Sequence, residues 1–497
     1  MGERQAAMGR LSRAVAFVSL GLIASPLLAV AQPSAVLTLK EAVGEALDHN
    51  DRLVNQRDLV EQADLGVRLA NNNFRTKVTP NILGSFGQTD VTNQTYRVDL
   101  TKRFMTGTEV RAGIGTSTSQ IPPDRDAAIQ EDIRFYNADT TLTINQPLLK
   151  GFGPAVAGRQ VASAELRRAD AVRQRTIDEQ QIALEVARQY YRVVSQRMLV
   201  AIARQGLDRS RRLLEASQAK LEAGLVSQLD VYRAQQLVAQ GEIQLADSLS
   251  AVEDAFDDLR LILGRDPDSA IEVTDEIPNV PGAPMTQEDA VQMAFARRLD
   301  LQSAIAGMEE SARTIAYSRN QLRPQFDASL ALTRRETADS LPSSFGVDNF
   351  RFATFFTISM PVDRTPQIIE YQNALIDRDR RSRDLDMMRK RIAADVKRAL
   401  RDAARNTERL RVSEDSLQVS RQEVEVAQFR YERGLSNNLD VVAAEGGLML
   451  AESRRLASLA ELALSRLSLR ATLGVLDARQ DIANAVADQG INRATHD

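Results

Sequence analysis

An internal duplication constrains the fold of this chain more than any other feature of its sequence. Residues 224–231 read GLVSQLDV, and residues 434–441 read GLSNNLDV. The two segments align at an offset of 210 residues, without a gap, through to the Leu-Gly pairs at 263–264 and 473–474. Such self-similarity indicates that the chain is built from two copies of one structural unit.

The duplication extends to the beginning of each copy and divides the chain into predicted regions. Residues 37–53 align with residues 285–301 at an offset of 248, and Thr38 and Thr286 each stand where a helix N-cap is expected. We predict five regions: a signal peptide at 1–31, a first repeat at 32–264, a proline-rich connector at 265–284, a second repeat at 285–474 and a C-terminal tail at 475–497. The tail is expected to be loosely ordered, with a short helix near 481–488.

Long stretches without proline predict unusually long helices. No proline occurs between Ala155 and Asp266, and the first copy is expected to be helical from about Ala157 to Glu222. At a rise of 1.5 Å per residue this helix would be on the order of 100 Å long. Apolar residues recur at helical spacing while charges fill the other faces, so the helix must pack against partner helices.

A glycine interrupts each long helical stretch. Gly224 and Gly434 suit the left-handed conformation that ends a helix, and Ser227 and Asn437 then stand as N-caps of a following helix. Each copy is therefore predicted to form a long antiparallel helical hairpin with a tight tip.

Alternating apolar and polar residues predict β-strands between the helices. The alternation is clear at 82–86, 139–145, 326–333 and 350–360, and an extra hairpin is indicated at 94–118. The segments have about the length of membrane-spanning strands, although a half-buried soluble sheet would show the same alternation. Whether the extra hairpin joins the sheet or stands above it stays open at this stage.

The N-terminus and the composition indicate an exported protein without obvious catalytic chemistry. Basic residues, an apolar run and an A-x-A site at 29–31 predict a cleaved signal peptide. The chain has no cysteine and only two histidines, which excludes disulfides and thiolate zinc sites and leaves no motif for a metal, a cofactor or an enzyme. The formal charge of −4 gives no basic patch for nucleic acid.

The strands and helices of one chain are too few to close on themselves. About four strands per chain are predicted besides the extra hairpin, whereas a small closed barrel needs about eight. A sheet with open edges cannot span lipid, and a single helical hairpin cannot bury both of its apolar faces. Both shortages predict that several copies assemble around one axis.

The chain resembles the TolC family throughout its mature length. The resemblance is carried by the signal peptide, the duplication, the helix–strand–strand–helix order, the tip motif G-L-x-[SN]-x-x-D-V and the phrase QPLLKGFG at 146–153. It implies a mainly α-helical homotrimer, whose helical hairpins form an α-barrel continuous with a shared twelve-stranded β-barrel in outer-membrane lipid of a Gram-negative bacterium. It also implies an exit duct that meets a periplasmic adaptor and an inner-membrane transporter, for efflux or type I secretion.

The resemblance assigns roles to residues at the tips. Asp440, Asp230 and Tyr431 match gate positions, where acidic rings select cations and a tyrosine and an arginine bind an aspartate. The second acidic position is Ala443 here and the arginine position is Ser436, so Arg433 is the candidate replacement. The tip residues implied to contact the adaptor are the following: Gly224, Leu225, Ser227, Gly434 and Leu435.

Two alternative interpretations remain at this stage. Asp440 and Asp230 follow helix N-caps, and local capping explains both as well as a gate does. The chain as a whole could be a pore-free coiled-coil protein of the envelope, which would account for the helices but not for the alternating segments at matching places in both copies.

Overall fold

The computed structural model describes residues 36–85, 92–121, 133–274, 277, 285–344 and 348–479. The predicted signal peptide and the predicted helix near 481–488 lie outside this part of the chain. In the first copy the elements are α1 (Leu39–His49), α2 (Asp51–Asn72), β1 (Lys77–Gly84), β2 (Thr92–Arg103), β3 (Glu109–Ile121), β4 (Ile133–Pro147), α3 (Pro154–Ala157), α4 (Arg159–Glu222) and α5 (Gln228–Leu263). In the second copy they are α6 (Gln287–Arg297), α7 (Leu299–Gln321), β5 (Gln325–Ala338), α8 (Leu341–Ser344), β6 (Arg351–Ser359), α9 (Thr365–Glu432) and α10 (Asn438–Thr472).

Two long helical hairpins dominate the structure. Helix α4 has 64 residues and α9 has 68, which corresponds to about 100 Å each, so the predicted helix from Ala157 to Glu222 is confirmed within two residues. Each runs to a tip and returns as a shorter helix, α5 with 36 residues and α10 with 35. None of the described helices is both long enough and apolar enough to cross a membrane.

The main hydrophobic core lies where the first-copy helices meet α10, far from the tips. Tyr190 and Tyr191 of α4 are fully buried there against α1 and α5. The Tyr190 hydroxyl donates a hydrogen bond of 3.0 Å to the carbonyl oxygen of Leu37, which ties the start of the chain to α4. The Tyr191 hydroxyl has no hydrogen-bond partner among the described residues, and burial raises its pKa above the ordinary value.

The two tyrosines give a matched test of this core. We expect Tyr190→Phe to lower the free energy of unfolding by about 1–2 kcal/mol, because the buried Leu37 carbonyl loses a partner. Tyr191→Phe removes a hydroxyl that has no partner to lose, so its stability should stay within about 0.5 kcal/mol of wild type or rise. Thermal unfolding followed by circular dichroism measures both. Equal losses for the two variants would contradict the assignment.

Each opening helix is broken in the structure, which differs from the single helix predicted for each copy. The break falls at Asn50 in the first copy and at Arg298 in the second, and both residues have extended backbone. Gly264 and Gly474, with φ of 74° and 72°, end α5 and α10 and lie directly against these breaks. The Asn50 amide also donates to the carbonyl of Ile262, so the long hairpin fixes the position of the break.

The strands form one open antiparallel sheet in sequence order, β1-β2-β3-β4-β5-β6. Three of the four predicted strand segments are found as β4, β5 and β6. The segment predicted at 82–86 is found as far as Gly84, at the end of β1, and residue 86 lies outside the described residues. The extra hairpin predicted at 94–118 is the pair β2–β3, inserted between β1 and β4. The described part of the chain therefore has six strands: the four counted from the sequence and the two of the extra hairpin, whose place in the sheet the sequence left open. Strands β4 and β5 join the two copies, and β1 and β6 are the edges.

Candidate functional site at the hairpin tips

Both hairpin tips have the same backbone geometry. Gly224 and Gly434 adopt φ of 69° and 72°, and each follows the last turn of a long helix. The next residues, Leu225 and Leu435, donate backbone hydrogen bonds of 2.8 Å to carbonyls one turn back, at Lys220 and Arg430. This closed turn projects both leucine side chains outward, and they are 73% and 68% exposed.

The two equivalent aspartates at the tips have different surroundings. Asp230 is 9% exposed, and its carboxylate accepts from the backbone N–H of Ser227 at 3.1 Å and from the Ser227 hydroxyl at 2.8 Å. Arg233 lies 3.6 Å from the same carboxylate. Asp440 is exposed and has no hydrogen bond or ion pair among the described residues. The cap of its helix is Asn437, whose side chain accepts a 3.1 Å hydrogen bond from the backbone N–H of Leu439. Asp230 therefore acts in capping, whereas Asp440 presents its charge to solvent.

Tyr431 connects the two hairpins just behind the tips. Its side chain is buried, and its hydroxyl lies 2.9 Å from the hydroxyl of Ser217 on α4. The Lys220 ammonium is 3.9 Å from the centre of the Tyr431 ring and also donates to its carbonyl oxygen. A cation above a tyrosine face is electrostatically favourable. Sequence reasoning singled out Tyr431 but missed Ser217 and Lys220, because only the packing of α4 on α9 brings them together.

The remaining tip residues complete the link between the hairpins. Asn438 is fully buried, and its amide donates a 2.7 Å hydrogen bond to the backbone carbonyl of Asp230. Within one chain, Tyr431 therefore bonds to α4 and not to Asp230. Asp230 is instead joined to the second hairpin by the hydrogen bond from Asn438. The Arg433 guanidinium lies 5.0 Å from the ring centre of Phe429 on its own helix.

A buried ion pair braces the hairpins farther from the tips. Arg209 of α4 donates at 2.5 Å to Glu445 of α10, and both side chains are largely buried. The second carboxylate oxygen of Glu445 accepts at 2.9 Å from the Gln428 amide on α9. One carboxylate thus joins three helices. Among the described residues, no group of three or more histidine, aspartate or glutamate side chains could hold a metal ion.

Long helical hairpins joined to an open antiparallel sheet, with the strands placed between the helices of each repeat, define the class of TolC-like outer-membrane channels. The family model for the outer membrane efflux protein matches residues 115–265 and 290–475, well over half of the chain. The chain therefore belongs to the outer membrane efflux protein family. It is a protein of the outer membrane, with a helical channel that lies in the periplasm.

Particular relatives support this assignment. The chain is 25% identical over 294 residues to the multidrug resistance outer membrane protein MdtP of Escherichia coli O6:H1, a match covering 54% of this chain and 56% of MdtP. MdtP of strain K12 is 24% identical over 298 residues, covering 55% of this chain and 57% of that protein. The chain thus spans a little over half of the length of these curated relatives.

Solved structures show the same fold. The outer-membrane channel OprN superposes with a TM-score of 0.67 at 17% identity, covering 88% of this chain and 90% of OprN. The outer membrane protein VceC of Vibrio cholerae gives a TM-score of 0.65 at 16% identity, covering 88% and 96%. At these identities the likeness concerns the fold alone. The curated relatives match about half of this chain, whereas the solved structures share its fold over 88% of it.

Proposed function

We propose that this chain is the outer-membrane exit duct of a tripartite efflux pump or a type I secretion system. The proposal rests on one observation: an open sheet with one apolar face is continuous, in each repeat, with a helical hairpin about 100 Å long. A periplasmic adaptor at the tips and an inner-membrane transporter would deliver the cargo. The role is transport and not catalysis.

The duct requires several copies, and we propose a homotrimer. The edges β1 and β6 have no partner strand among the described residues, and open edges are not tolerated in lipid. The twelve-stranded barrel implied by the resemblance needs four strands from each chain, which β1, β4, β5 and β6 would supply. The hairpin β2–β3 is additional to that count.

The alternative is a pore-free coiled-coil protein of the envelope. It would use the long helices in the same way, but it gives no role to a sheet whose Phe352, Phe356 and Ile358 are 79%, 67% and 72% exposed. An apolar surface of this kind needs lipid or a partner to cover it. Membership of an outer-membrane efflux family favours lipid.

Single-channel recording in a planar lipid bilayer tests the duct. We expect discrete, long-lived conductance steps from the purified mature protein. We also expect Asp440→Asn to reduce the preference for cations, because three exposed carboxylates around the axis of a trimer would focus a negative potential at the tips. The measurement is the reversal potential in a salt gradient, for wild type and variant.

A matched control separates the tip charge from total charge. Glu253→Gln removes an exposed carboxylate far from the tip along α5, and it should leave the cation preference unchanged. Unchanged selectivity in Asp440→Asn would keep the channel but remove Asp440 from the conduction path. A folded preparation that gives no steps would contradict the duct and favour the pore-free alternative.

The exposed tip leucines are the proposed contacts of the adaptor. We expect the double variant Leu225→Asp/Leu435→Asp to lose most dye efflux in cells that contain the native pump, because a charged tip cannot enter an apolar docking surface. The conservative Leu225→Met/Leu435→Met variant should retain efflux. Accumulation of a fluorescent pump substrate measures both, and membrane levels of the protein must match. Normal efflux with charged tips would exclude these leucines from docking.

A further inference from the structure

We propose that the hairpin β2–β3 is part of the membrane wall, so that each chain supplies six strands and three chains close an eighteen-stranded barrel. The inference rests on the proposed trimeric duct and replaces the strand number that four strands per chain would give. Six strands from each of three copies give eighteen. Three features of the sheet carry the argument: its two faces, the position of the hairpin turn and the direction of its edges.

One apolar row crosses all six strands at the same level. Following the strand register from β1 to β6, the directly paired residues of this row are Val78, Leu100, Ala112, Leu142, Leu332 and Phe352. The hairpin contributes Leu100 and Ala112 to this row, and the adjacent pair Val98 and Ile114 extends its apolar face. A hairpin standing above the membrane in water would have no reason to continue the row that β5 and β6 form.

The opposite face is polar along the same strands. The row on this face is formed by Thr79, Asp99, Gly113, Thr141, Thr333 and Arg351. The hairpin thus alternates in phase with its neighbours, apolar on one side and polar on the other. This is the pattern of a barrel wall with lipid outside and water inside.

An ion-pair network joins the hairpin to β4 across this polar face. Arg97 of β2 donates at 2.7 Å to Asp99, at 2.5 Å to Asp139 and at 3.0 Å to the Thr141 hydroxyl. The Arg97 side chain passes over β3 at Gly113, where a Cβ atom would lie only 2.6 Å from the Asp99 carboxylate. Glycine on β3 therefore leaves room for contacts that hold β2, β3 and β4 in one continuous sheet.

The turn of the hairpin is fixed at the level where the sheet meets the helices. Gly153, at the entrance to α3, donates a 3.0 Å hydrogen bond to the carbonyl of Thr106 in the turn. Gly107 has φ of 94°, and a Cβ atom there would lie 2.6 Å from the carbonyl oxygen of Gly151. On β2, the first strand of the hairpin, the Lys102 ammonium donates a 2.7 Å hydrogen bond to the carbonyl oxygen of Phe74, just before β1. The base of the hairpin is thus level with the bases of β1 and β4.

The edges of the sheet fit a second copy of the same chain. Because the number of strands is even and all pairs are antiparallel, β1 and β6 run in opposite directions. The β6 edge of one copy can therefore pair antiparallel with the β1 edge of the next, and the apolar row continues from Phe352 to a neighbouring Val78. These two side chains are 79% and 61% exposed in the single chain. Barrels of sixteen to eighteen strands enclose an aqueous channel.

The absence of tryptophan from the chain permits a direct test of lipid contact. Single tryptophans are introduced in the full-length protein at Val98→Trp or Ile114→Trp on the hairpin. Each variant is reconstituted in vesicles of brominated phosphatidylcholine, which quenches fluorescence by contact. Leu332→Trp on β5 is the lipid-facing reference, and Ser117→Trp on the polar face of β3 is the matched control. Circular dichroism establishes that each variant is folded.

We expect both hairpin variants to be quenched to the same extent as Leu332→Trp, and Ser117→Trp to be quenched little. If Leu332→Trp is quenched while Val98→Trp and Ile114→Trp are not, the hairpin is outside the wall and the barrel has twelve strands, which overturns the inference and leaves the duct intact. If Leu332→Trp is not quenched either, the sheet is not in lipid, and the proposed function fails with the inference.

Cysteine cross-linking gives the number of chains, since the protein has no cysteine of its own. Val78→Cys on β1 is combined in turn with Phe352→Cys, Thr354→Cys or Phe356→Cys on β6, which covers the register that places Val78 opposite Phe352 and the next two registers on the same face. After oxidation in the membrane we expect one combination to give a covalent trimer on a non-reducing gel. A closed species of another size, or no cross-link in any combination while Leu332→Trp is quenched, would overturn the count of eighteen.

Discussion

Glu445→Ala is expected to destabilise the helical hairpins by about 3–5 kcal/mol, because it leaves the largely buried Arg209 guanidinium without its partner. The Gln428 amide on α9 loses its acceptor in the same change. Removing one member of a buried ion pair costs more than the pair contributes, since the remaining charge stays in a poorly solvated site. Chemical unfolding in detergent, followed by circular dichroism at helical wavelengths, measures the loss.

Two further variants test the cause of this loss. Arg455→Ala removes an exposed ion pair with Glu414, 3.6 Å long, and should cost less than about 1 kcal/mol. The double variant Arg209→Met/Glu445→Leu replaces both charges by apolar groups and should recover much of the stability. If the double variant is as unstable as Glu445→Ala, lost packing and not the unpaired charge is responsible.

Gly474→Ala is expected to cost about 2–4 kcal/mol, through two separate effects. Its φ of 72° is unfavourable for any residue with a Cβ atom. The new atom would also lie 2.9 Å from the backbone of Arg297 and Arg298, at the break between α6 and α7, where backbone cannot move aside easily. The apparent melting temperature of the second repeat should fall accordingly.

Gly434→Ala is the matched control for that prediction. Its φ is the same, 72°, but nothing lies within 4 Å of the position of the new Cβ atom. We therefore expect a cost of about 1–2 kcal/mol, from backbone strain alone. The difference between the two variants measures the contact with the helix break. Equal costs would show that the contact contributes nothing.

The sequence predicted the elements of this fold because their signals are local. The absence of proline between Ala155 and Asp266 and the glycine at 224 were enough to place α4 and its tip. The helix breaks at Asn50 and Arg298 were not predicted, because they depend on glycines more than 170 residues away in the chain. The place of the hairpin at 94–118 was left open, because alternation does not reveal which strands β2 and β3 pair with.

The candidate site was predicted only in part for the same reason. Helix caps and turn glycines are encoded within a few residues, so the tips at Gly224 and Gly434 could be placed from the sequence. The different surroundings of Asp230 and Asp440 could not, because the two lie in nearly identical local sequence. Nor could the contacts of Tyr431 with Ser217 and Lys220, since they require two helices to pack in one particular register.

The β2–β3 hairpin starts and finishes at the same end of the sheet, so the chain leaves β1 and enters β4 in the same directions with or without it. Its gain or loss during evolution therefore requires no change in any helix. Both edge strands and both tips also stay as they are. The circumference of the sheet can thus change in steps of one hairpin per chain, independently of the two helical tips. In the proposed duct, the width of the outer opening and the surface of the tips can therefore vary separately.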